Sequence, residues 1–190
     1  MKRTADIILS LFLIILCSPL FLLIFIMLRL SSKGPVLFRQ ERIGRGGKAF
    51  NILKFRTMIV DSEKDGIPQL TDIDDDRLTP FGRWLRAHHL DELPQLWNVL
   101  KGDMSFIGYR PERRYFIEQI MQHDPRYELL YQIRPGVTSY ATLYNGYTDT
   151  MAKMLRRLEL DLYYLEHQSF WLDARILWLT FYKIIGGKRF

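Results

Sequence analysis

The sequence predicts a predominantly helical α+β chain built from two parts, residues 1–33 and residues 34–190. Three observations support this prediction: a charge-free apolar run over residues 7–28, a glycine-rich turn between two extended apolar stretches, and capped helical patterns beyond residue 79. A chain of 190 residues fits one compact domain with an appendage. Cys17 is the only cysteine, so the chain has no internal disulfide and no Cys-based metal cluster, which fits a reducing cytosolic setting.

The apolar run reads IILSLFLIILCSPLFLLIFIML. As a helix it would be roughly 33 Å long, enough to cross a hydrocarbon core of about 30 Å. A signal peptide is the alternative, but its apolar region is normally about 7 to 15 residues long and precedes a small-residue cleavage site. The run therefore predicts a membrane segment.

Ser18 and Pro19 lie in the middle of this segment. Pro19 lacks an amide proton and its ring crowds the preceding turn, so an unbroken straight helix is not expected. Basic residues flank both ends of the run, which removes the charge asymmetry that orients a spanning helix. The residues leave two structures open: a helix-break-helix hairpin that enters and leaves by one face, and a kinked spanning helix.

The charge of the remaining chain argues against a nucleic-acid-binding protein. The whole chain carries 27 Lys+Arg and 21 Asp+Glu, and residues 34–190 keep 23 and 20 of them. Nucleic-acid-binding proteins usually concentrate more positive charge on one stripe. The basic residues near the membrane segment suit anionic headgroups or phosphate-bearing substrates, although any single one of them also fits a solvated loop. They are Arg29, Lys33, Arg39, Arg42, Arg45 and Lys48.

A β-hairpin is predicted directly after the membrane segment. Gly34-Pro35 ends the helix, and extended stretches begin at residue 36 and at Ala49 on either side of a GRGGK turn. We expect Gly44, Gly46 and Gly47 to supply positive φ angles in this turn. Its spacing matches neither the P-loop nor the dinucleotide-binding fingerprint, which favours a turn over a phosphate cradle.

Residues 61–76 are polar and acidic and predict a loop, and the chain after them is predicted to be helical. Capping signals place helices over residues 79–86, 111–121, 150–166 and 169–185, the last one closed by Gly186-Gly187. The last helix is rich in aromatic residues. Its aromatic face is suited to a membrane surface or to the protein's own core, and the sequence leaves both open.

The chemistry is expected in residues 88–112. Four residues at helical spacing, Leu93, Leu96, Trp97 and Leu100, predict one face packed into the core, with Pro94 in the first turn.

This helix places Asp91 and Glu92 at or just before its N-terminus, where the macrodipole favours an ionised carboxylate. An anionic Asp91 can attack phosphorus or bind Mg²⁺, and an adjacent carboxylate can share the metal or move a proton. Simple N-capping is the alternative interpretation.

Three arginines, Arg86, Arg110 and Arg134, lie near predicted turns around this pair. Guanidinium groups match phosphate oxygens, although each one alone is also suited to a surface salt bridge. Together with the membrane segment, they indicate phosphoryl transfer at the bilayer on a lipid phosphate.

These motifs resemble the monotopic phosphoglycosyl transferases, also called the bacterial sugar transferase family, over nearly the whole chain. The resemblance rests on Ser18-Pro19, KFRTM at residues 54–58, DRLT at 76–79 with Gly82 and Leu85-Arg86, LDELPQLWNVLKGDMS at 90–105, Gly108 with Arg110-Pro111, and RPGVT at 134–138. It departs at Tyr109, where the family usually has proline, and over residues 139–147, so the sugar is not identified.

The resemblance implies a re-entrant membrane helix broken at Ser18-Pro19, with both ends and the catalytic domain at the cytoplasmic face of the bacterial inner membrane. It implies transfer of a phospho-sugar from a UDP-sugar to polyprenol (undecaprenyl) phosphate, giving UMP. Asp91 would form a covalent phospho-sugar intermediate and bind Mg²⁺, and Glu92 would be its companion acid.

From the residues together with this implied reaction, we assign Arg86, Arg110 and Arg134 to phosphate contacts, with Lys54 and Arg56 as further candidates. Downstream glycosyltransferases are possible partners. A hydrolase of the same substrates and a non-catalytic membrane-bound partner of a glycan-assembly complex are the competing hypotheses.

Overall fold

The computed structural model describes residues 2–31, 33–60, 75–146 and 148–186 of a mostly helical α+β chain. The helices are α1 (Lys2–Leu16), α2 (Ser18–Ser31), α3 (Pro80–Ala87), α4 (Gln95–Lys101), α5 (Arg114–His123), α6 (Tyr140–Tyr144), α7 (Met151–Glu166) and α8 (Phe170–Ile185). The strands are β1 (Leu37–Ile43), β2 (Ala49–Phe55), β3 (Ser105–Ile107) and β4 (Gly136–Thr138). Short 3₁₀ turns cover Arg45–Gly47, Leu90–Glu92 and Pro125–Gln132.

The chain packs as two compact units. The first unit contains Met1–Gln40 and Ile52–Leu100, and the second contains Glu41–Asn51 and Lys101–Phe190. The predicted boundary at residue 33 separates a membrane segment from the rest of the chain. It differs from the boundary between these two packed units, and it stays a prediction.

In the first unit, α1 and α2 form a helix pair bent by 60°. The break lies at Cys17, one residue before the predicted Ser18-Pro19 site. Pro19 therefore occupies the first turn of α2, where a missing amide proton costs no helical hydrogen bond. Among the described residues, no single helix is long and apolar enough to cross a membrane, whereas this bent pair together meets those criteria.

The predicted hairpin is confirmed as β1 and β2, which pair with each other. Gly46 and Gly47 have φ angles of 69° and 70°, as expected for the turn. The prediction for Gly44 is wrong, because its φ is −116°. Its amide instead donates to the Lys48 carbonyl at 2.8 Å and closes the turn from an extended conformation.

Helix α3 confirms the predicted capping signal. The Thr79 hydroxyl accepts a hydrogen bond from the Gly82 amide at 3.0 Å, and Pro80 opens the first turn. Leu85 on this helix packs in a buried cluster with Ile24, Leu28, Val36 and Phe55. Most of the predicted acidic loop, residues 61–74, lies outside the described residues.

The second unit corrects the prediction that the chain after α3 is wholly helical. Strands β3 and β4 form a parallel pair in which Ser105 is aligned with Gly136. Helix α5 begins at Arg114, and Glu112 is not part of it. Glu112 is instead buried and forms ion pairs with Arg42 and Arg157, at 3.2 and 2.7 Å. These tertiary contacts hold Glu112 outside the helix despite the local helix-start signal.

Helices α7 and α8 are confirmed, with Thr150 and Ser169 as their N-caps. Gly186 caps α8, and Gly187 lies outside the described residues. The aromatic side chains of α8 are more than half exposed, while Ile176 is 1% exposed. The interpretation that this aromatic face packs into the protein's own core is therefore wrong. The interpretation that it lies at a membrane surface stays a prediction. The exposed residues are Phe170, Trp171, Trp178, Phe181 and Tyr182.

Candidate active site

Asp91 and Glu92 lie in the 3₁₀ turn directly before Leu93-Pro94 and helix α4. His89 starts this turn in the left-handed region, with φ 55°, and its amide donates to the Arg86 carbonyl at 3.1 Å. A non-glycine residue rarely adopts this conformation, and such strain concentrates at functional sites. The reversal at His89 brings the acidic pair back beside the end of α3.

The predicted core face of α4 is partly correct. Leu96 and Val99 are buried, but Trp97 is 47% exposed and meets the ring of Phe21 edge-on at a centroid distance of 5.6 Å. The prediction that Trp97 lies in the core is wrong, because α4 buries Gln95, Leu96, Asn98 and Val99 and this face leaves Trp97 half-exposed.

Asp91 is 5% exposed, and burial raises the pKa of its carboxyl group. The neighbouring Glu92 acts in the same direction, while the positive charges of Lys54, Arg86 and His89 oppose the increase. Burial thus acts against the ionised form that the predicted helix terminus favours. The prediction that Asp91 is anionic at neutral pH stays a prediction.

Lys54 on β2 lies beside the acidic pair, and its phosphate-binding role stays a prediction. Its Nζ donates to Glu92 Oε1 at 2.6 Å, and both side chains are about four-fifths buried, with exposures of 21% and 19%. The adjacent Leu53 amide donates to Asn98 Oδ1 of α4 at 2.9 Å. This hydrogen bond ties strand β2 to helix α4 next to the ion pair.

Arg86 on α3 also belongs to this cluster. Its Nε donates to Thr57 Oγ1 at 2.9 Å, and its charge lowers the pKa of Asp91 against the effect of burial. The Thr57 carbonyl also accepts a hydrogen bond from the Thr79 amide at 2.9 Å. The first unit therefore brings together four of the predicted site residues, Asp91, Glu92, Lys54 and Arg86, and their catalytic and phosphate-binding roles stay predictions.

Arg56 has a different setting from Lys54. It is 6% exposed, and its Nη1 donates to the Lys33 carbonyl at 2.9 Å beneath Gly34. A Cβ atom at Gly34 would lie 2.2 Å from this guanidinium nitrogen. These contacts indicate that Arg56 holds the link between α2 and β1.

Arg110 and Arg134 belong to the second unit, in adjoining segments. The Gly136 amide donates to the Tyr109 carbonyl at 2.8 Å, and the Arg134 Nε donates to the Gly102 carbonyl at 2.9 Å. Tyr109, which replaces the family's usual proline, is fully buried in the core of this unit. The phosphate-binding roles of the two arginines stay predictions.

Asp161 supports the Arg110 segment and was not identified from the sequence. Burial raises its pKa to about 7, against the charge of Arg157 and hydrogen bonds from the Arg110 and Ala141 backbone and the Ser139 side chain. Burial also opposes ionisation of Glu112, but Arg157 and Arg42 hold the pKa of that carboxyl below its usual range. The α7 residues Asp161 and Arg157 thus hold the Arg110 backbone and, two residues later, the Glu112 side chain.

Arg3 of α1 is a second residue that the sequence did not reveal. Its guanidinium donates to the carbonyls of Val99 and Leu100 at 2.5 and 2.8 Å. These carbonyls end α4, where cations complement the helix dipole and satisfy unpaired acceptors. The N-terminal helix pair therefore holds the helix that follows the acidic pair.

Magnesium binding at Asp91 stays a prediction. Among residues 2–31, 33–60, 75–146 and 148–186, no group of three or more His, Cys, Asp or Glu side chains could hold a metal. Mg²⁺ commonly takes one or two carboxylates and fills its remaining positions with water and substrate phosphates. Asp91 can supply such a carboxylate, whereas the Glu92 carboxylate forms an ion pair with Lys54.

Lys54 allows a direct test of this cluster. Lys54→Met removes the ammonium group and keeps the aliphatic stem. We expect the rate of the catalysed reaction to fall about 10- to 100-fold, because a hydrogen bond between charged groups is worth about 1.5–3 kcal/mol. Lys54 lowers the pKa of Asp91, so its loss should also shift the acidic limb of the pH–rate profile to higher pH. Steady-state rates across pH measure both effects.

The matched control is Lys153→Met, which removes an exposed lysine paired with Asp149. A Lys54→Met enzyme with an unchanged rate and pH profile would contradict a role for Lys54 at the carboxylates. Thermal unfolding of both variants separates a local effect from loss of the fold.

Comparison with known proteins agrees with these observations. A family model described as bacterial sugar transferase matches residues 1–187. The chain is 41% identical over 186 residues to a UDP-N-acetylgalactosamine-undecaprenyl-phosphate N-acetylgalactosaminephosphotransferase of Aeromonas hydrophila, covering 98% of this chain and 44% of that protein. It is 44% identical over 184 residues to a UDP-glucose:undecaprenyl-phosphate glucose-1-phosphate transferase of Klebsiella pneumoniae, covering 96% and 39%.

A relative of similar length is also found. The exopolysaccharide production protein PSS of Rhizobium leguminosarum bv. phaseoli is 38% identical over 197 residues, covering 100% of this chain and 98% of that protein. The chain spans about two fifths of the length of the first two relatives. The family match extends over nearly the whole chain, including α1, α2 and the Asp91 cluster. This chain belongs to the bacterial sugar transferase family.

Proposed function

We propose that this chain transfers a phospho-sugar from a UDP-sugar to undecaprenyl phosphate, giving a polyprenol diphosphate sugar and UMP. The observation that carries the proposal is the buried Asp91 carboxyl group, surrounded by Glu92, Lys54 and Arg86. The names of two relatives, which specify transfer of a sugar phosphate to undecaprenyl phosphate, support the substrate class.

The first step is attack by an Asp91 carboxylate oxygen on the β-phosphorus of the UDP-sugar. A bond forms between Asp91 and phosphorus, the bond from this phosphorus to the bridging oxygen breaks, and UMP leaves with that oxygen. Burial favours this role because a carboxylate with little water around it loses little solvation when it attacks.

In the second step, a phosphate oxygen of the polyprenol phosphate attacks the same phosphorus. The bond to Asp91 breaks, the carboxylate is restored, and the polyprenol diphosphate sugar leaves. Two sequential displacements let one site handle two bulky substrates in turn, and they predict ping-pong kinetics.

The surrounding cations offset the negative charge that this chemistry brings together. Arg86 lies close enough to Asp91 to lower its pKa, so it is suited to neutralise phosphate oxygens at the same position. Lys54 holds Glu92 in place, and Glu92 is suited to orient or exchange protons with substrate oxygens. Mg²⁺ bound at Asp91 with substrate would supply further charge neutralisation at the diphosphate.

The α1–α2 pair is proposed as a re-entrant hairpin that leaves the catalytic residues at the cytoplasmic face of the bacterial inner membrane. Its bend of 60° and the basic residues at both ends support this arrangement. The exposed aromatic residues of α8 are suited to lie among headgroups at the same surface. Glycosyltransferases that extend a lipid-linked sugar would consume the product.

Transfer of radiolabelled sugar phosphate into an organic-extractable lipid tests this function. The purified protein is incubated with undecaprenyl phosphate, Mg²⁺ and a panel of UDP-sugars, and both labelled lipid and UMP are measured. We expect stoichiometric lipid product and UMP with at least one donor. Water-soluble sugar phosphate without a lipid acceptor would indicate a hydrolase. Absence of any product with every donor would favour a non-catalytic partner.

A further inference from the structure

A groove lies in the first unit where α2 ends and β1 begins. It has a volume of about 460 Å³ and contains both apolar and basic side chains. Its lining residues are Phe25, Arg29, Pro35, Val36, Leu37 and Arg39. None of these residues belongs to the Asp91 cluster, so the groove is a separate feature of the same unit.

Two guanidinium groups give this groove its charge. Arg29 and Arg39 are exposed, and within the part of the chain that the structure describes neither of them forms an ion pair. Arg29 is close enough to Arg56 that, after burial, its charge is the next cause that lowers the Arg56 pKa. Excess positive charge therefore collects at this end of α2, and an anion would relieve it.

The groove also has an apolar component. Val36 is 6% exposed and forms the buried part of the lining, while Phe25 and Leu37 keep exposures of 48% and 40%. Covering these side chains with hydrocarbon would remove apolar surface from water. The ligand that fits has a phosphate at one end and an alkyl chain at the other.

The pair of arginines favours a phosphomonoester over the phosphodiester of an ordinary phospholipid. A monoester carries a charge of about −1.5 to −2 at neutral pH because its second pKa is near 6. A phosphodiester carries a single negative charge. Two guanidinium groups therefore match a polyprenol phosphate better than a bulk phospholipid.

We propose that this groove binds the phosphate and the first isoprenyl units of the acceptor polyprenol phosphate. The proposal rests on the proposed function, since it assigns a site to the second substrate of that reaction.

Contacts within the first unit connect the groove to Asp91. The Arg56 amide donates to the Val36 carbonyl at 2.8 Å, and the adjacent Thr57 accepts from Arg86. Val36 also belongs to the buried cluster against which Leu90 and Leu93 pack, and these two residues flank the acidic pair. The backbone of Val36 in the groove is thus linked through Arg56 and Thr57 to the Arg86 side chain beside Asp91.

The test is the double variant Arg29→Gln and Arg39→Gln, assayed in phosphatidylcholine nanodiscs. Two quantities are measured: UMP released from UDP-sugar alone in a single turnover, and the KM for undecaprenyl phosphate in the complete reaction. We expect the acceptor KM to rise about tenfold or more, since two charge-assisted phosphate contacts are lost. Release of UMP from the donor alone should be unchanged, which also shows that the variant is folded.

The matched control is Arg126→Gln with Arg156→Gln, which removes two exposed arginines of the second unit that pair with Asp124 and Glu159. This control should leave the acceptor KM unchanged. An unchanged acceptor KM in the groove variant, with normal UMP release, would overturn the groove assignment alone. Failure of the unmodified protein to release UMP would overturn the proposed function and the groove assignment with it.

A second measurement distinguishes the acceptor from bulk lipid. The unmodified protein is assayed in nanodiscs of phosphatidylcholine with and without phosphatidylglycerol. We expect the acceptor KM to stay the same, because a phosphodiester should compete poorly for the groove. A KM that rises with phosphatidylglycerol in the unmodified protein, but not in the groove variant, would show that ordinary anionic lipid competes with the acceptor for the groove and would overturn the groove's preference for a phosphomonoester.

Discussion

Replacing Asp91 with asparagine is expected to reduce transfer of sugar phosphate to lipid by about 10³-fold or more, as for loss of a nucleophile. The amide keeps the size of the side chain but has no anionic oxygen to attack phosphorus. Asp91 is 5% exposed, so the isosteric change should preserve the packing around it. Transfer into extractable lipid measures the loss, and intact-mass analysis with donor alone measures the covalent adduct.

The mass measurement makes this prediction specific. The unmodified protein should gain the mass of one sugar phosphate when mixed with its UDP-sugar, and the Asp91→Asn protein should gain none. Asp149→Asn is the control, since Asp149 is exposed and pairs with Lys153 on the surface of the second unit. Transfer by the Asp91→Asn protein at an unchanged rate, or an adduct on it, would show that another residue is the nucleophile.

Replacing Gly82 with alanine is expected to destabilise the first unit and to impair catalysis together. A Cβ atom at this position would lie 2.0 Å from the Thr57 carbonyl oxygen and 2.6 Å from the Thr57 Cα. Backbone atoms cannot move aside as a flexible side chain can, so α3 must shift away from Thr57. Overpacking of this kind typically costs about 1–3 kcal/mol.

The shift should reach the active site through Arg86, whose Nε is held by Thr57 Oγ1. Thermal unfolding and the single-turnover release of UMP measure the two consequences. Arg83→Ala is the matched control, because Arg83 is an exposed neighbour on the same helix and alanine favours helix formation. A Gly82→Ala protein with unchanged unfolding temperature and UMP release would show that the approach of α3 to Thr57 is not required.

Local signals in the sequence were reliable wherever one turn or one cap decides the structure. Thr79, Thr150 and Ser169 each cap the helix predicted for them, because a side-chain oxygen and the amide it accepts lie within three residues. The β1–β2 hairpin follows for the same reason, since its turn is closed by neighbouring glycines.

Short-range signals failed where distant residues meet. Strands β3 and β4 are only three residues long, and each becomes a strand by pairing with the other. Pro111-Glu112 resembles a helix start, yet Arg42 and Arg157 bind the Glu112 carboxylate, and the helix begins only at Arg114. The exposure of Trp97 and the hydrogen bonds from Arg3 to the last carbonyls of α4 likewise depend on elements that are far apart along the chain.

The candidate site shows the same division. The sequence predicted Asp91, Glu92, Lys54 and Arg86 as site residues from their charged side chains beside a membrane segment together with the family resemblance, and their roles stay predictions. The shift in the pKa of Asp91 could not be predicted from the sequence, because it depends on how much water the surrounding elements exclude. The membrane run, the caps and the reactive side chains are properties of neighbouring residues. The burial of Asp91, the Lys54–Glu92 pair and the Arg29–Arg39 groove arise only when strands and helices pack, because each requires groups from separate segments to share one low-dielectric or charged environment.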